Sequence, residues 1–279
     1  MTPLLFTVLV FAISVSAGLL GSLLGLGGGI IVVPALTLLL HIDIRFAIGA
    51  SIVSVIATSS GAAAAYVRDG MTNLRVAMFL EMGTTAGALS GAYLAGVIPV
   101  RSLYVIFGVV MGYSALAMFR KRHAELALAM VPADGLADRL ALHSSYVDEA
   151  AGREIEYQVT GSRIGIGLMY VAGVVSGLLG IGSGALKVPA MDLAMRLPIK
   201  VSTATSNFMI GVTAAASAGV YFARGQVDPF VAGPVAMGVL TGALGGSKLL
   251  GRLQSSLIRK VFVAVLLWVS LEMLLKGVR

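Results

Sequence analysis

Eight stretches of apolar residues, each close to the length that crosses a membrane, dominate this chain of 279 residues. A helix needs about 20 apolar residues to cross about 30 Å of hydrocarbon. Because lipid offers the backbone no hydrogen bonds, such stretches must form helices or a closed barrel, and barrel strands are half as long and alternate in polarity. The sequence therefore predicts an all-α polytopic membrane protein. The stretches cover residues 4–18, 46–66, 76–98, 102–119, 164–181, 201–222, 230–250 and 257–275.

Charge and cysteine content exclude several classes of function. Only 12% of the residues are charged, the mean hydropathy is +0.96 and the net charge is +7. The basic residues stand singly at the ends of apolar stretches, as the positive-inside rule expects, so we exclude a nucleic-acid partner. The chain has no cysteine, and His41, His123 and His143 are too scattered for a metal site. With no evident nucleophile or carboxylate pair either, we expect no cofactor and no enzyme.

The chain contains an internal repeat with an offset of 155 residues. The segment "GLLGSLLGLGGGIIVVPAL" from Gly18 aligns without a gap on "GVVSGLLGIGSGALKVPAM" from Gly173. The glycines and prolines stay in register, which is typical of the duplicated halves of transporters. Residues 1–17 resemble a signal peptide but lack a basic n-region, and the second copy retains a matching arm. We therefore expect the first arm to belong to the fold, with transmembrane repeats over 1–120 and 163–279.

A polar segment separates the two repeats. Residues 121–162 carry seven of the thirteen acidic residues, the helix-like "HAELALAM" and the alternating "SYVDEAAGREIEYQV". The alternation predicts a β-hairpin that turns near Ala151-Gly152. The basic "RKRH" directly follows an apolar stretch, which indicates that this insertion lies in the cytoplasm.

The distribution of basic residues favours inverted repeats. If each glycine-rich segment is a hairpin of two broken helix arms, each half has an odd number of passes and the halves run in opposite directions. Most Lys and Arg then lie in the cytoplasm, whereas eight simple spans would nearly remove this bias. The hairpin arrangement, with about three full spans besides each hairpin, leaves outside only Arg45, Arg101, Arg224, Lys276 and Arg279.

The glycine-rich segments are candidates for a ligand site. A helix broken within the membrane must satisfy its freed N–H and C=O groups, so such breaks persist chiefly where they line a cavity. The helices that follow point positively polarised N-termini inward, where an anion fits. We expect both breaks to face one wet chamber. The alternative is close helix packing, since Gly21, Gly25 and Gly29 have small-xxx-small spacing. The candidate residues are Gly25, Gly27, Gly28, Gly29, Gly180, Gly182, Ser183 and Gly184.

The paired segments "GLGGGIIVVP" and "GIGSGALKVP", each followed by a helix that carries Ser and Thr, resemble the TauE/SafE sulfite exporter family, also called the toluene sulfonate uptake permease family. The resemblance covers essentially the whole chain. It implies a secondary carrier of sulfite, thiosulfate, sulfoacetate or related anions in a bacterial or archaeal cytoplasmic membrane. The second loop departs from the first, because Ser183 replaces a glycine and Lys187 stands where the first copy has Val32. The two half-sites are therefore not equivalent.

Four polar side chains near the breaks are further candidates for anion binding. Lys187 is an ionised amine at membrane depth, which is costly unless it faces a cavity or a partner. Its alternative is snorkelling to the nearer interface. Ser51, Ser206 and Asn207 offer hydrogen-bond donors to an oxyanion, and the repeat pairs the two serines. Their alternative role is ordinary hydrogen bonding between helices.

Glu81 is a carboxylate within a predicted span and a candidate proton carrier for coupled transport. Its alternative is an interfacial position with Arg75 as its partner.

These features predict a secondary transporter that exports small sulfur-containing anions by alternating access across the cytoplasmic membrane. An anion channel would use the same donors, and a membrane sensor could use the acidic insertion to recruit a partner. The expected partners are the anion and the lipid bilayer. The sequence leaves open whether the chain assembles as a homo-oligomer.

Overall fold

The first half of the chain consists of long helices around one short, interrupted helix. The computed structural model describes residues 3–120, 134–149, 152–250 and 252–278. The helices are α1 (Pro3–Leu24), α2 (Gly29–Pro34), α3 (Ile44–Arg68), α4 (Leu74–Ala95) and α5 (Val100–Arg120), and α2 continues into a π-helical turn, Ala35–Leu39.

The second half repeats this order. Its elements are α7 (Ser162–Leu179), α8 (Gly184–Pro189) with a π-helical turn (Ala190–Ala194), α9 (Ile199–Ala223), α10 (Pro229–Leu250) and α11 (Ser255–Val278). Among the described residues, five helices are long and apolar enough to cross a membrane. The prediction of an all-α polytopic membrane protein is confirmed.

Local sequence explains where these helices begin and change. Asp43 caps α3 by accepting a hydrogen bond from the Arg45 amide at 2.8 Å, and Asn73 caps α4 by accepting one from the Val76 amide at 3.0 Å. Pro34 and Pro189 end the two short helices. Since proline has no amide hydrogen for the helical ladder, each short helix widens into a π-helical turn there.

Glycines let the first helix of each half pack closely on the other half. A Cβ at Gly242 of α10 would overlap the Val15 carbonyl of α1, and one at Gly87 of α4 would overlap the Tyr170 carbonyl of α7. Gly87 and Gly242 are 155 residues apart in the sequence. Small residues of this kind allow membrane helices to approach backbone to backbone. The first helix of each half thus packs against a helix of the other half.

The order of contacts gives the direction of the helices. Gly238, Gly242 and Gly246 meet Phe11, Val15 and Leu19 in turn, so α1 runs parallel to α10. α3 also runs parallel to α10, because Gly49 meets Gln226 and Gly61 meets Leu240. The chain between α1 and α3 must therefore turn back, and α2 lies on this returning segment. α1 has 22 residues, about 33 Å, and is longer than a half-length arm.

The last helices of the two halves run antiparallel. Along α5, Gly108 meets Leu274 of α11 and Gly112 meets Ser270, so the contacts advance in opposite directions. The hydroxyl of Ser270 donates to the Gly108 carbonyl at 2.7 Å. The α5–α11 pair packs against both short helices, since α5 contacts α8 and α11 contacts α2.

The insertion contains the hairpin that its sequence predicted. Strands β1 (Ser144–Asp148) and β2 (Arg153–Tyr157) pair antiparallel, and a short helix, α6 (Gly135–Arg139), precedes them. The helix-like "HAELALAM" and most of "RKRH" lie outside the described residues. The backbone amide of Ser162, which donates to the Asp134 carboxylate at 2.7 Å, keeps the pKa of Asp134 below its ordinary value.

The insertion is anchored to the starts of α4 and α9. The amide of Asn73 donates through Nδ2 to the Leu142 carbonyl at 2.8 Å and to the Tyr157 hydroxyl at 3.0 Å. Lys200 of α9 and Asp148 of β1 are both buried and form an ion pair of 2.7 Å. The hairpin is therefore fastened to both halves at one end of the bundle.

The interlocked halves should depend on glycine at the crossings. We expect Gly242→Ala to lower the melting temperature of the purified protein, because the added Cβ overlaps the Val15 carbonyl and overpacking costs about 1–3 kcal/mol. Gly245→Ala on the same helix is the control, since a Cβ there meets nothing within 4 Å. Equal melting temperatures for the two variants would contradict the close packing of α1 on α10.

Candidate functional site

The two helix breaks meet at the middle of α3 and α9. A Cβ at Gly27 would lie 2.9 Å from Ile210 Cδ1, and one at Gly182 would lie 2.7 Å from Val55 Cγ1. Val55 and Ile210 are each the twelfth residue of a helix of 25, and they are 155 positions apart. Gly27 and Gly182 are also 155 apart, so equivalent residues of the two halves meet at one point in the centre of the bundle.

Glycine is required in the breaks for both backbone conformation and space. Gly25, Gly27, Gly180 and Gly182 have φ between +65° and +75°, the left-handed region that glycine tolerates. A Cβ at Gly184 would overlap the Gly25 carbonyl, so the breaks also touch each other.

The third position of the loops differs between the halves. Ser183 has φ +57°, whereas its equivalent Gly28 has φ −57°. The two loops are therefore not superimposable copies, as the Gly-Ser-Gly departure indicated. Gly28 donates its amide to the Thr58 hydroxyl at 3.2 Å, while the Ser183 hydroxyl donates to the Gly182 carbonyl at 2.7 Å.

Each break accepts a hydrogen bond from one serine of the opposite half. The hydroxyl of Ser51 donates to the Gly180 carbonyl at 2.7 Å, and that of Ser206 donates to the Gly25 carbonyl at 2.7 Å. The structure thus brings together the two serines and the two breaks that the repeat had paired. Both hydroxyls stabilise backbone that the break exposes, as helix-to-helix hydrogen bonding predicts.

Asn207 lies against the first break. Its Nδ2 donates to the Ser22 carbonyl at 2.7 Å and to the Thr203 carbonyl at 3.1 Å. Its Oδ1 and the Thr203 hydroxyl oxygen are buried and have no hydrogen-bond partner in the structure. A buried polar atom without a partner is costly and calls for an explanation, such as water or a ligand.

Lys187 is fully buried and does not snorkel to an interface. Its Nζ donates to the Thr213 hydroxyl at 2.6 Å and lies 3.7 Å from Glu81 Oε2. An ammonium group has three donors, and in the structure this one makes a single hydrogen bond. Glu81 Oε2 is also buried without a hydrogen-bond partner. The two halves thus share an ion pair whose hydrogen-bonding capacity is only partly used.

Glu81 is held by hydroxyl groups and by Lys187 rather than by Arg75. Its Oε1 accepts from Thr213 at 2.7 Å and from Thr85 at 3.1 Å. Arg75 instead donates to the Ala141 carbonyl of the insertion at 2.8 Å. The suggested interfacial pair of Glu81 with Arg75 is therefore wrong, because six residues of helix place the two side chains on different faces of α4.

Thr213 is a central residue that sequence reasoning missed. It is the repeat equivalent of Thr58, and each hydroxyl contacts the short-helix region of its own half, at Lys187 and at Gly28 respectively. The offset of 155 that paired Ser51 with Ser206 also pairs these threonines. The signal was therefore present in the sequence.

The chamber expected between the breaks is not open in this conformation. Every residue from Leu23 to Ile30 and from Ser176 to Ala185 is buried. The physical reason is that glycines let the breaks approach each other and the side chains of Val55 and Ile210. A cavity of about 800 Å³ lies elsewhere, beside the insertion, where its lining includes Asp134, Arg139 and Arg163.

Comparisons with known proteins identify one family and several related membrane proteins. A family model described as sulfite exporter TauE/SafE matches residues 10–273. The probable membrane transporter protein YunE of Bacillus subtilis (strain 168) is 28% identical over 278 residues, which cover 97% of this chain and 98% of YunE. The probable membrane transporter protein YdhB of the same organism is 26% identical and covers 83% of this chain and 85% of its own length.

An archaeal relative is similar as well. The probable membrane transporter protein MJ0441 of Methanocaldococcus jannaschii is 24% identical over 75% of this chain and 70% of its own length. No solved structure matches the chain. Since the family model covers nearly the whole sequence and the described helices are those of a multi-pass membrane protein, this chain belongs to the sulfite exporter TauE/SafE family of membrane transporters.

Proposed function

We propose that the protein is a secondary transporter that exports small sulfur-containing anions, such as sulfite, thiosulfate or organosulfonates, across the cytoplasmic membrane. The observation that carries this proposal is Lys187, a fully buried cation beside a helix break that makes a single hydrogen bond among the described residues. A buried ammonium is retained in a membrane protein chiefly where it serves a pathway or a partner. An oxyanion offers the acceptors that its remaining donors lack.

The residues around Lys187 form the proposed binding region. Thr213 and Glu81 contact it directly, and the Asn207 and Thr203 oxygens without partners lie near the other break. Hydroxyl and amide donors bind an oxyanion without the strength of several fixed charges, which favours release of the cargo. The proposed site also includes the break residues Gly25, Gly27, Gly28, Gly29, Gly180, Gly182, Ser183 and Gly184, together with Ser51 and Ser206.

We infer that the halves are inverted copies that rock against each other. The antiparallel course of α5 and α11 and the reciprocal bonds of Ser51 and Ser206 support this arrangement. Rocking would separate Gly25 from Gly184 and open the central site to one side at a time. With residues 121–162 in the cytoplasm, the hairpin lies at the inner end of the path. Export of an anion from a negative-inside cell gains about 2.3 kcal/mol per charge per 100 mV.

Transport should saturate and show counterflow. Proteoliposomes containing the full chain should take up labelled thiosulfate faster when they are preloaded with unlabelled thiosulfate, because a carrier returns more quickly when loaded. Sulfite, sulfoacetate and taurine in the same assay rank the substrates. Flux that rises linearly with concentration and shows no counterflow would indicate a channel, and absence of flux for every compound would overturn the proposal.

Gly182→Ala should reduce thiosulfate uptake about tenfold or more while the protein still inserts. The added Cβ would lie 2.7 Å from Val55 Cγ1, and alanine would have to adopt the φ of +75° that Gly182 has. Overpacking of this kind costs about 1–3 kcal/mol and would disturb the contact between the breaks. Gly225→Ala is the matched control, because Gly225 has φ +66° but a Cβ there meets nothing within 4 Å. If both variants transport like the unmodified protein, the centre of the bundle is not the pathway.

Lys187→Met should weaken thiosulfate binding about tenfold or more, since hydrogen bonds to a charged group contribute about 1.5–3 kcal/mol. Isothermal titration calorimetry on the purified protein measures the change. Lys248→Met is the control, because Lys248 is exposed at the end of α10. An affinity that changes equally little in both variants would remove Lys187 from the proposed site.

A further inference from the structure

The carboxylate of Glu81 occupies the position that an oxyanion would take beside Lys187. Thr213 joins the two groups, because its hydroxyl accepts from Lys187 Nζ at 2.6 Å and donates to Glu81 Oε1 at 2.7 Å. Glu81 Oε2 lies 3.7 Å from the same ammonium. A carboxylate presents two negatively charged oxygens, as one face of a sulfite or sulfonate group does. The groups that now hold Glu81 are thus the donors that such an anion requires.

Thr85 is a second hydrogen-bond donor that can hold the Glu81 carboxylate when the carboxylate leaves Lys187. Thr85, one helical turn further along α4, donates to Glu81 Oε1 at 3.1 Å. The Glu81 side chain is 12% exposed, whereas that of Lys187 is 0% exposed. The carboxylate therefore lies at the edge of the site and the ammonium at its base. When Glu81 moves toward Thr85, the Thr213 hydroxyl can donate to the incoming anion or to the Met209 carbonyl, which is 3.0 Å away.

The repeat does not generate a second copy of this arrangement. The equivalents of Lys187 and Glu81 are Val32 and Ala236, neither of which carries a charge. Thr58, the equivalent of Thr213, contacts the Gly28 amide instead. One charged site per chain is therefore present among the described residues around the two breaks.

We infer that Glu81 is an internal competitor of the transported anion: its carboxylate and the anion bind alternately to Lys187 and Thr213. This inference rests on the proposed function and adds a mechanism to it. Thr213 is a positioning residue in this scheme, because it orients whichever oxyanion is present. Lys187 is the charged group in contact with the Glu81 carboxylate.

Charge balance links the exchange to one proton. With Lys187 and Glu81 both ionised, an added dianion such as thiosulfate would leave two net negative charges in a buried site, which is costly. Uptake of one proton by Glu81 as the anion binds lowers this excess to one. On α7, which packs along α4, Tyr170 faces Ser90 and Arg163 lines the cavity at the insertion. Among the described residues, the hydrogen bonds and ion pair of Glu81 involve Thr85, Thr213 and Lys187 instead. The anion and one proton would then occupy the site together.

Isothermal titration calorimetry with thiosulfate tests the competition on the full-length protein in detergent. Thiosulfate is fully ionised at about pH 7.5, so protons that are taken up on binding go to the protein. We expect Glu81→Gln to bind thiosulfate about tenfold more tightly than the unmodified protein, because glutamine has no negative charge that competes for Lys187. Glu272→Gln on α11 is the control and should behave like the unmodified protein.

Thr213 and the proton count give independent readouts. Thr213→Val should weaken binding and Thr213→Ser should restore it, because serine keeps the hydroxyl. Titration in two buffers of different ionisation enthalpy counts the protons bound, and we expect about one per thiosulfate for the unmodified protein and none for Glu81→Gln. The unmodified protein alone provides this count if the variant does not fold.

The results distinguish failure of the proposed competition by Glu81 from failure of the transport proposal itself. If thiosulfate binds to the unmodified protein without proton uptake, or if Glu81→Gln weakens binding as Lys187→Met does, Glu81 supports the site instead of competing and the transport proposal stands. If none of the anions binds or is transported by the unmodified protein, the proposed function fails and this inference fails with it.

Discussion

Two reciprocal hydrogen bonds hold the centre of this protein together. A broken helix in lipid leaves carbonyl groups that water cannot reach, and each must find a partner within the protein. The Gly25 carbonyl accepts from Ser206 and the Gly180 carbonyl accepts from Ser51, so each break is stabilised by the opposite half. Neither half can therefore satisfy its own break at these positions. The close crossings of α1 on α10 and of α7 on α4 follow the same rule, because each half covers the other.

This arrangement suits a protein that moves while it remains folded. The contacts at the centre are made by glycine backbone, two serine hydroxyls and the side chains of Val55 and Ile210. Such contacts are small and lack the deep interdigitation of a core filled by large side chains. The long crossings α1–α10, α4–α7 and α5–α11 each join a helix of one half to a helix of the other. Under the proposed mechanism, the halves would therefore shift at these crossings as well as at the surfaces where the breaks meet.

The symmetry of the backbone contrasts with the asymmetry of the charges. Tyr66 and Tyr221 occupy equivalent positions and donate to the equivalent carbonyls of Ser22 and Gly177. Lys187 and Glu81 have no charged counterparts at the repeat-related positions, which hold Val32 and Ala236. A duplicated scaffold can tolerate one buried ion pair, whereas two close pairs would double the desolvation cost at the centre. The proposed transport chemistry thus rests on a single ion pair between the halves, while both halves supply the movement.

The sequence by itself determined the membrane class, the repeat, the two glycine breaks and the hairpin of the insertion. These features depend on apolar length, on residue offset and on local backbone conformation, which are properties of neighbouring residues. It also pointed to Ser51, Ser206 and Lys187 as residues near the breaks. The partner of Glu81, the role of Thr213 and the closed contact of the breaks were decided only by the tertiary structure. Each depends on how α4, α8 and α9 cross. Thr213 meets Lys187 across 26 residues of sequence and Glu81 across 132, and no local sequence pattern encodes these contacts.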